Sequence, residues 1–138
     1  MEIKTNFYTL TPYSNLLYIE SFLAWDERVA MDFAKDIKAL ALHHYQEKPW
    51  AIFSDGTHWK LPTPECLRLL TQLINAEITQ TITHHAYVTG RSEIKRWLSE
   101  NAFKTVTAYT ANIFDNYEDA EAWLASFGYH RTIQNPEE

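Results

Sequence analysis

The sequence predicts an α/β fold with a mixed sheet, in the element order β-β-α-β-α-β-α-β-α. A short turn between the first two predicted strands indicates an antiparallel hairpin. After that hairpin, every predicted strand is followed by a predicted helix. Such alternation requires crossovers that join mostly parallel strands. The chain has 138 residues, which is the usual size of one domain.

The opening hairpin comes from two stretches that are rich in strand-forming residues. Residues 5–10 alternate in polarity and contain the strand-forming run Phe-Tyr-Thr at 7–9. Residues 16–22 form the second predicted strand. Residues 12–15, Pro-Tyr-Ser-Asn, supply turn chemistry between them. Two strands joined this closely are expected to pair antiparallel.

The first helix is predicted to begin after Asp26, because aspartate caps helices well. Apolar residues then recur three and four positions apart and predict one buried face: Val29, Phe33, Ile37, Leu40 and Ala41. Lys48 and Pro49 end this helix, since proline cannot continue it. The short, continuous apolar run at residues 50–53 is typical of a buried strand.

The second helix has the clearest start in the chain. Thr63 can act as its N-cap, while Pro64 and Glu65 suit the first turn. Its predicted buried face is Leu67, Leu70, Leu73 and Ile74. Residues 85–88 predict the next strand, which ends before Gly90.

The last two helices are predicted from their caps and apolar spacing. Ser92 caps the third helix, whose predicted buried face is Ile94, Trp97 and Leu98. Residues 105–114 contain the last strand. Asn116 caps the fourth helix, and Gly128 closes it. Its predicted buried face is Ala120, Trp123, Leu124 and Phe127.

Composition bounds the domain organisation and excludes several classes of function. We expect one domain over residues 1–130 and a solvated tail over residues 131–138. The chain has only 3 glycines, all isolated, which excludes glycine-rich phosphate-binding loops. A net charge of −6 repels phosphate backbones, so we predict no nucleic-acid partner. Because the sequence contains neither a secretory signal nor a membrane-spanning apolar run, we expect a cytoplasmic protein without a transmembrane segment.

The histidines and the single cysteine form no recognisable catalytic or metal-binding pattern. Histidines 43–44 and 84–85 are adjacent pairs whose side chains point to different faces of an element, so we interpret them as surface or edge residues. Cys66 lies at a helix start, where a lowered pKa would make it reactive. A small buried residue explains Cys66 better. We therefore predict no metal, no cofactor and no enzymatic activity.

Four short segments resemble the STAS/SpoIIAA-like superfamily, and most closely a bacterial branch of small, uncharacterised members. The segments are Trp-Ala-Ile-Phe-Ser-Asp at 50–55, Trp-Lys-Leu-Pro-Thr-Pro-Glu at 59–65, Ala-Tyr-Val-Thr-Gly at 86–90 and Phe-Asp-Asn-Tyr-Glu-Asp-Ala-Glu-Ala-Trp-Leu at 114–124. The resemblance implies a SpoIIAA-like β-α superhelix with most helices on one face of the mixed sheet. It also implies a binding role and a relation to lipid-carrier domains of the Sec14 type.

The regulators of this superfamily carry a phosphorylated serine in an Asp-Ser-Ser segment at the start of the second helix. The matching residues 61–64 are Leu-Pro-Thr-Pro, which lack the aspartate and offer only Thr63 as a hydroxyl. A phosphate there would suit the positive end of the helix dipole. The N-cap role explains Thr63 without a kinase, so a phosphorylation switch is the less favoured alternative.

Large rings at element ends and in loops are the unusual feature of a chain that is 14% aromatic. Trp25, Trp50 and Trp59 all lie at such places in the predicted element order. Apolar bulk there is explained by three uses: it covers the core or a dimer contact, it lines a ligand pocket, or it inserts into a membrane surface.

The leading hypothesis from the sequence is a binding module that holds a small apolar or lipid-like ligand between the sheet and a movable helix. Five aromatic residues are predicted to line or gate that site: Phe22, Trp25, Phe53, Trp59 and Tyr87. The alternative is a protein-interaction module, in which the same residues build a homodimer or a partner surface. Peripheral membrane contact would depend on aromatic insertion alone, because an acidic surface is not attracted to anionic lipids.

Overall fold

A computed structural model describes residues 2–46, 48–76 and 81–131, and these residues form one mixed sheet flanked by helices. The strands are β1 (Ile3–Lys4), β2 (Tyr8–Pro12), β3 (Leu16–Leu23), β4 (Trp50–Trp59), β5 (Ile82–Val88) and β6 (Thr110–Phe114). The helices are α1 (Glu27–His44), α2 (Pro64–Ile74), α3 (Glu93–Phe103) and α4 (Tyr117–Ala125). The strands lie side by side in chain order, antiparallel from β1 to β3 and parallel from β3 to β6. The predicted α/β fold with an N-terminal hairpin is confirmed.

The hairpin starts later than its sequence pattern predicts. Tyr8 pairs with Ser21 and Leu10 with Ile19, whereas residues 5–7 form a turn before β2 in which the Thr5 amide donates to the Tyr8 carbonyl over 2.8 Å. The two-residue strand β1, which the sequence did not predict, pairs with β2 at its outer edge.

All four predicted N-caps are confirmed by side-chain hydrogen bonds to the first helical turns. Asp26 accepts from the Val29 amide at 3.1 Å, and Thr63 accepts from the Cys66 amide at 3.2 Å. Ser92 and Asn116 accept in the same way at the starts of α3 and α4. Each cap satisfies an amide that the helix itself leaves without a partner.

The helices divide between the two faces of the sheet. Alternation along β4 directs Trp50, Ile52 and Ser54 toward α1, α2 and α3, and directs Ala51 and Phe53 toward α4. The larger core lies on the first face and is built mainly from α1 and its neighbours. The arrangement of most helices on one face agrees with what the superfamily resemblance implied.

Strand β4 is longer than the predicted strand at residues 50–53. It continues through Ser54 to Trp59, so this segment is strand rather than the predicted loop, and Trp59 ends a strand. The polar and glycine-containing sequence of the segment resembles a turn. Pairing with β3 as far as Trp59, and with β5 as far as Asp55, keeps it extended, because hydrogen bonding within the sheet outweighs local propensity.

The buried face of α3 differs from the predicted face. Ile94 is 58% exposed and Trp97 is 63% exposed, although both were predicted to be buried. Lys95 is only 7% exposed, because its ammonium group donates to the Gly56, Thr57 and Trp59 carbonyls at 2.5, 3.2 and 2.9 Å. These bonds turn the Lys95 side of α3 toward the sheet.

Near the end of the described chain, Phe127 is a second exposed aromatic residue besides Trp97. Phe127, which was predicted to lie on the buried face of the last helix, follows the end of α4 and is half-exposed against His84. The Arg131 guanidinium lies 5.1 Å from the Tyr18 ring centroid and 5.0 Å from that of Tyr117. Apart from Arg131, the predicted tail lies outside the described residues.

Candidate functional site

The candidate site is a cavity of about 120 Å³ between the sheet and helices α1, α2 and α3. Strands β3, β4 and β5 form its floor, and its lining includes Ile19 and Ile52. Leu70 of α2 and Leu98 of α3 contribute to its walls. Apolar atoms make up nearly all of its surface, and no charged residue is part of the lining. An apolar surface between the sheet and three helices, with few polar groups, is the usual setting of a small-molecule site.

The structure brings three of the five predicted site residues together at this cavity. Trp25, Trp59 and Tyr87 all line it. Phe53 lies on the opposite face of the sheet, in the core covered by α4. Phe22 is not part of the lining. The role of these residues in ligand binding remains a prediction.

Trp25 is a fixed wall of the cavity. Its indole nitrogen donates to the Phe7 and Phe22 carbonyls at 3.2 and 3.0 Å, and its side chain is buried. Its ring centroid lies 4.9 Å from that of Phe33 and 5.7 Å from that of Trp59. Since Trp25 is anchored by hydrogen bonds and packed rings, it is suited to shape a ligand site rather than to open and close one.

Trp59 stands nearly perpendicular to Trp25 and is only partly buried. Its indole nitrogen is shielded from solvent but has no hydrogen-bond partner within the described part of the chain. An indole N–H is a donor only. Trp59, at the carboxyl end of β4, therefore has one unused hydrogen-bond donor.

Tyr87 packs against the backbone of Gly56. A Cβ atom at position 56 would lie 2.5 Å from the Tyr87 hydroxyl oxygen, so only glycine permits this approach. Burial raises the pKa of the Tyr87 phenol well above its usual value, against the opposing effect of a hydrogen bond with Ser99. Tyr87 is therefore a neutral wall of the cavity.

A buried polar pair, Ser54 and His85, lies in the otherwise apolar lining. The Ser54 hydroxyl oxygen and His85 Nε2 are 2.9 Å apart, and His85 is 6% exposed. Burial lowers the pKa of His85 to about 3, so the imidazole is neutral. The interpretation of His85 as a surface or edge residue was wrong. A usable signal was present in the sequence, because His85 and Tyr87 are two positions apart and share one face of a strand.

The predicted alternatives at the start of α2 are also placed by the structure. Cys66 is fully buried, and burial raises the pKa of its thiol to about 11. Cys66 is thus a small core residue, as its sequence context favoured. Its raised pKa opposes reactivity, because reactive cysteines have a lowered pKa. Thr63 is exposed and caps the helix. Whether it is phosphorylated remains a prediction.

The described residues contain neither a metal-binding cluster nor a helix that could span a membrane. Among residues 2–46, 48–76 and 81–131, no three His, Cys, Asp or Glu side chains lie close enough together to hold a metal ion. His84 and His85 lie on opposite faces of β5, as their adjacency predicted. None of the described helices is long and apolar enough to cross a membrane.

The sheet order, the hairpin, and the division of helices between the two faces define a SpoIIAA-like fold, as comparison with solved structures shows. The structure is similar to an uncharacterized protein of the DUF3478 family with a SpoIIAA-like fold from Shewanella loihica PV-4. The TM-score is 0.66 at 12% sequence identity, and the match covers 90% of this chain and 98% of that one. The anti-sigma factor antagonist SpoIIAA in its unphosphorylated form is similar with a TM-score of 0.59 at 11% identity, over 88% of this chain and 98% of that one.

These matches confirm the predicted SpoIIAA-like fold. Neither a family model nor a curated protein matches the sequence. At 11–12% identity the likeness concerns the fold, and a shared fold does not by itself transfer a function. The relation to Sec14-type lipid carriers that the superfamily resemblance implied stays a prediction.

Proposed function

We propose that this chain is a non-catalytic binding module that holds a small apolar molecule in the cavity between the sheet and α1–α3. The observation that carries the proposal is a cavity of about 120 Å³ with an almost wholly apolar surface. An engineered apolar cavity of about 150 Å³ in another protein stays dry and binds benzene or xenon. Burial of a ligand's apolar surface supplies the driving force for binding.

The cavity volume narrows the class of ligand. Pockets for drug-sized molecules span about 300–1,000 Å³, so about 120 Å³ fits a molecule of roughly benzene size. A lipid-like ligand requires a neighbouring helix to move outward.

The Ser54–His85 pair does not make the site an effective hydrolytic centre. A pKa near 3 makes His85 a weak general base at neutral pH. In addition, His85 Nδ1 has no partner among the described residues, whereas a catalytic histidine is normally oriented through that nitrogen. The pair supports a polar contact within a binding site, in keeping with the proposed non-enzymatic role.

Native mass spectrometry and thermal unfolding test the proposal. We expect native mass spectrometry of the purified protein to show a bound molecule, or added benzene to raise the unfolding temperature. The variant Ala102→Leu extends a lining side chain into the cavity and should abolish that stabilisation. Its control, Ala122→Leu, makes the same change on the exposed side of α4 and should retain it. Absence of any thermal shift, together with a mass equal to that of the polypeptide alone, would refute the proposal.

A second candidate function, a protein-interaction module, is favoured by a different observation. Ile94 and Trp97 are one helical turn apart and both mostly exposed, so α3 presents an apolar face. Aromatic side chains of this kind are common at protein–protein contacts. The likeness to SpoIIAA, an anti-sigma factor antagonist, supports an interaction role without identifying the partner.

Light scattering separates the homodimer version of this candidate from a monomer. If the α3 face joins two copies, the wild-type protein has twice the mass of one chain, and Ile94→Gln/Trp97→Gln restores the monomer. A mass that is the same for both proteins would contradict the homodimer. Trp25 is unsuitable for this test because it is buried and hydrogen-bonded.

A phosphorylation switch at Thr63 is the remaining alternative. Thr63 is exposed at the start of α2, where amide groups and the helix dipole favour a phosphate. Kinase-dependent addition of one phosphate to the wild-type protein, and not to Thr63→Val, would support it. Equal addition to both proteins would place the modification elsewhere.

A further inference from the structure

Two buried nitrogen atoms without hydrogen-bond partners belong to residues that line the cavity. They are His85 Nδ1 and Trp59 Nε1, and neither has a partner within residues 2–46, 48–76 and 81–131. A buried polar atom is normally hydrogen-bonded, and each exception calls for an explanation. A ligand that reaches one of these atoms would supply the missing bond.

Of the two residues that could anchor a ligand through an unpartnered nitrogen, His85 is held in the better defined position. It is 94% buried, and its Nε2 atom is already engaged by the Ser54 hydroxyl at 2.9 Å. The rings of Phe103 and Tyr109 enclose the imidazole, with centroids 5.0 and 6.0 Å from its own. The hydrogen bond and these rings fix the position of the imidazole, so Nδ1 is the one hydrogen-bonding atom that His85 leaves unused.

Two other polar groups of the lining already have partners. The Tyr109 hydroxyl donates to the Ile74 carbonyl at 3.2 Å, and the Thr71 hydroxyl donates to the Leu67 carbonyl at 2.9 Å. The lining contains no charged residue. Since an ion loses its hydration on entering an apolar cavity and finds no opposite charge there, the site favours neutral molecules.

The tautomer of His85 decides whether Nδ1 donates or accepts. If the Ser54 hydroxyl donates to Nε2, Nδ1 carries the proton and needs an acceptor; if Nε2–H donates to Ser54, Nδ1 needs a donor. A hydroxyl group meets either requirement, because it both donates and accepts. A carbonyl meets only the first.

Building on the proposed function, we infer that the cavity's ligand is a small, neutral molecule with an apolar body and one hydroxyl group, which hydrogen-bonds to His85 Nδ1. The apolar body contacts Ile52, Leu98 and Phe103, and the hydroxyl group satisfies the histidine. Phenol is a suitable probe of this class, and benzene is its counterpart without the hydroxyl group.

Titrations of the wild-type protein with phenol and benzene, followed by NMR with ¹⁵N-labelled histidine, test this inference. We expect phenol to bind about tenfold more tightly than benzene, as one hydrogen bond to a buried, unpaired group permits. The ¹⁵N resonances of His85 should shift with phenol and stay nearly constant with benzene. Because this measurement uses the wild-type chain, it does not depend on the folding of a variant.

Two variants separate the anchors. His85→Leu should reduce the preference for phenol to about twofold or less. Trp59→Phe changes the lining for both probes, so it should alter the two affinities by a similar factor and preserve their ratio. Equal affinities in the wild type, or a preference lost only in Trp59→Phe, would overturn the assignment to His85 while leaving the binding of apolar molecules in place. Failure of both probes to bind would overturn the inference together with the proposed function.

Discussion

His85 is the residue at which burial, charge and the candidate site meet. Its imidazole lies in the cavity lining, with a pKa lowered to about 3 by burial. In the unfolded chain the pKa of histidine is near 6.5. Below pH 6.5 the unfolded chain therefore binds a proton that the folded protein does not, and protonation favours unfolding.

The first prediction follows from this difference. As the pH falls from 6.5 toward 3, protonation of His85 in the unfolded chain should lower the free energy of unfolding by about 1.4 kcal/mol per pH unit. Above pH 6.5 His85 is neutral in both states, so it should cause no such loss of stability. Urea unfolding at a series of pH values measures this slope. His85→Leu should give a shallower slope, and Ser54→Ala, which keeps the histidine, should retain it. Identical slopes for the wild type and His85→Leu would contradict the prediction.

The second prediction concerns Gly56, which allows Tyr87 to approach the backbone. Gly56→Ala should cost about 1–3 kcal/mol of stability, because its Cβ would meet the Tyr87 hydroxyl oxygen at 2.5 Å and the adjacent ring carbon at 2.9 Å. Removing the hydroxyl group with Tyr87→Phe should recover part of that cost. A double-mutant cycle measured by urea unfolding checks this. Strict additivity of the two substitutions would show that they do not meet.

At the scale of elements, α3 departs most from its predicted packing. The sequence pattern predicted that Ile94, Trp97 and Leu98 form the buried face, whereas a charged side chain such as Lys95 is ordinarily exposed. The structure reverses this assignment for Ile94, Trp97 and Lys95, because the three carbonyls at the end of β4 hydrogen-bond the Lys95 ammonium group. Those carbonyls converge only in the folded chain, so periodicity along the helix contains no information about them.

The third prediction tests this attachment of α3. Lys95→Met keeps most of the apolar stem but removes the donors, and should destabilise the protein by about 2 kcal/mol. Chemical unfolding gives the magnitude, and hydrogen exchange should show the loss of protection concentrated in α3. Lys104→Met, at the exposed end of the same helix, is the matched control and should have little effect. Equal effects of the two substitutions would contradict the role of Lys95.

The fourth prediction concerns the exposed face of α3. Trp97→Gln should change the stability of the monomer by less than about 0.5 kcal/mol, as is usual for surface positions. Trp50→Ala should cost about 3–5 kcal/mol, because Trp50 is fully buried and stacked on Tyr45. Thermal and urea unfolding compare the two. A loss at Trp97 as large as that at Trp50 would mean that Trp97 is buried in solution.

For the whole molecule, local signals predicted the fold well and the site only partly. The caps, the apolar face of α1 and the alternation of strands with helices are encoded within a few residues, and the structure confirms them. The length of β4, the phase of α3 and the burial of His85 depend on contacts between distant segments. The predicted site combined aromatic residues from both faces of the sheet. Phe53 and Tyr87 lie on different strands, so only the register between β4 and β5 shows that they face opposite sides.

The proposed function requires that the cavity between β3–β5 and α1–α3 accept a small apolar molecule. Diffraction from crystals of the protein under xenon pressure tests it most directly, since xenon enters apolar cavities without needing any particular polar contact. We expect xenon density bounded by Ile52, Leu98 and Phe103 in the wild-type protein and no such density in Ala102→Leu. Well-diffracting wild-type crystals with no xenon at this position would contradict it.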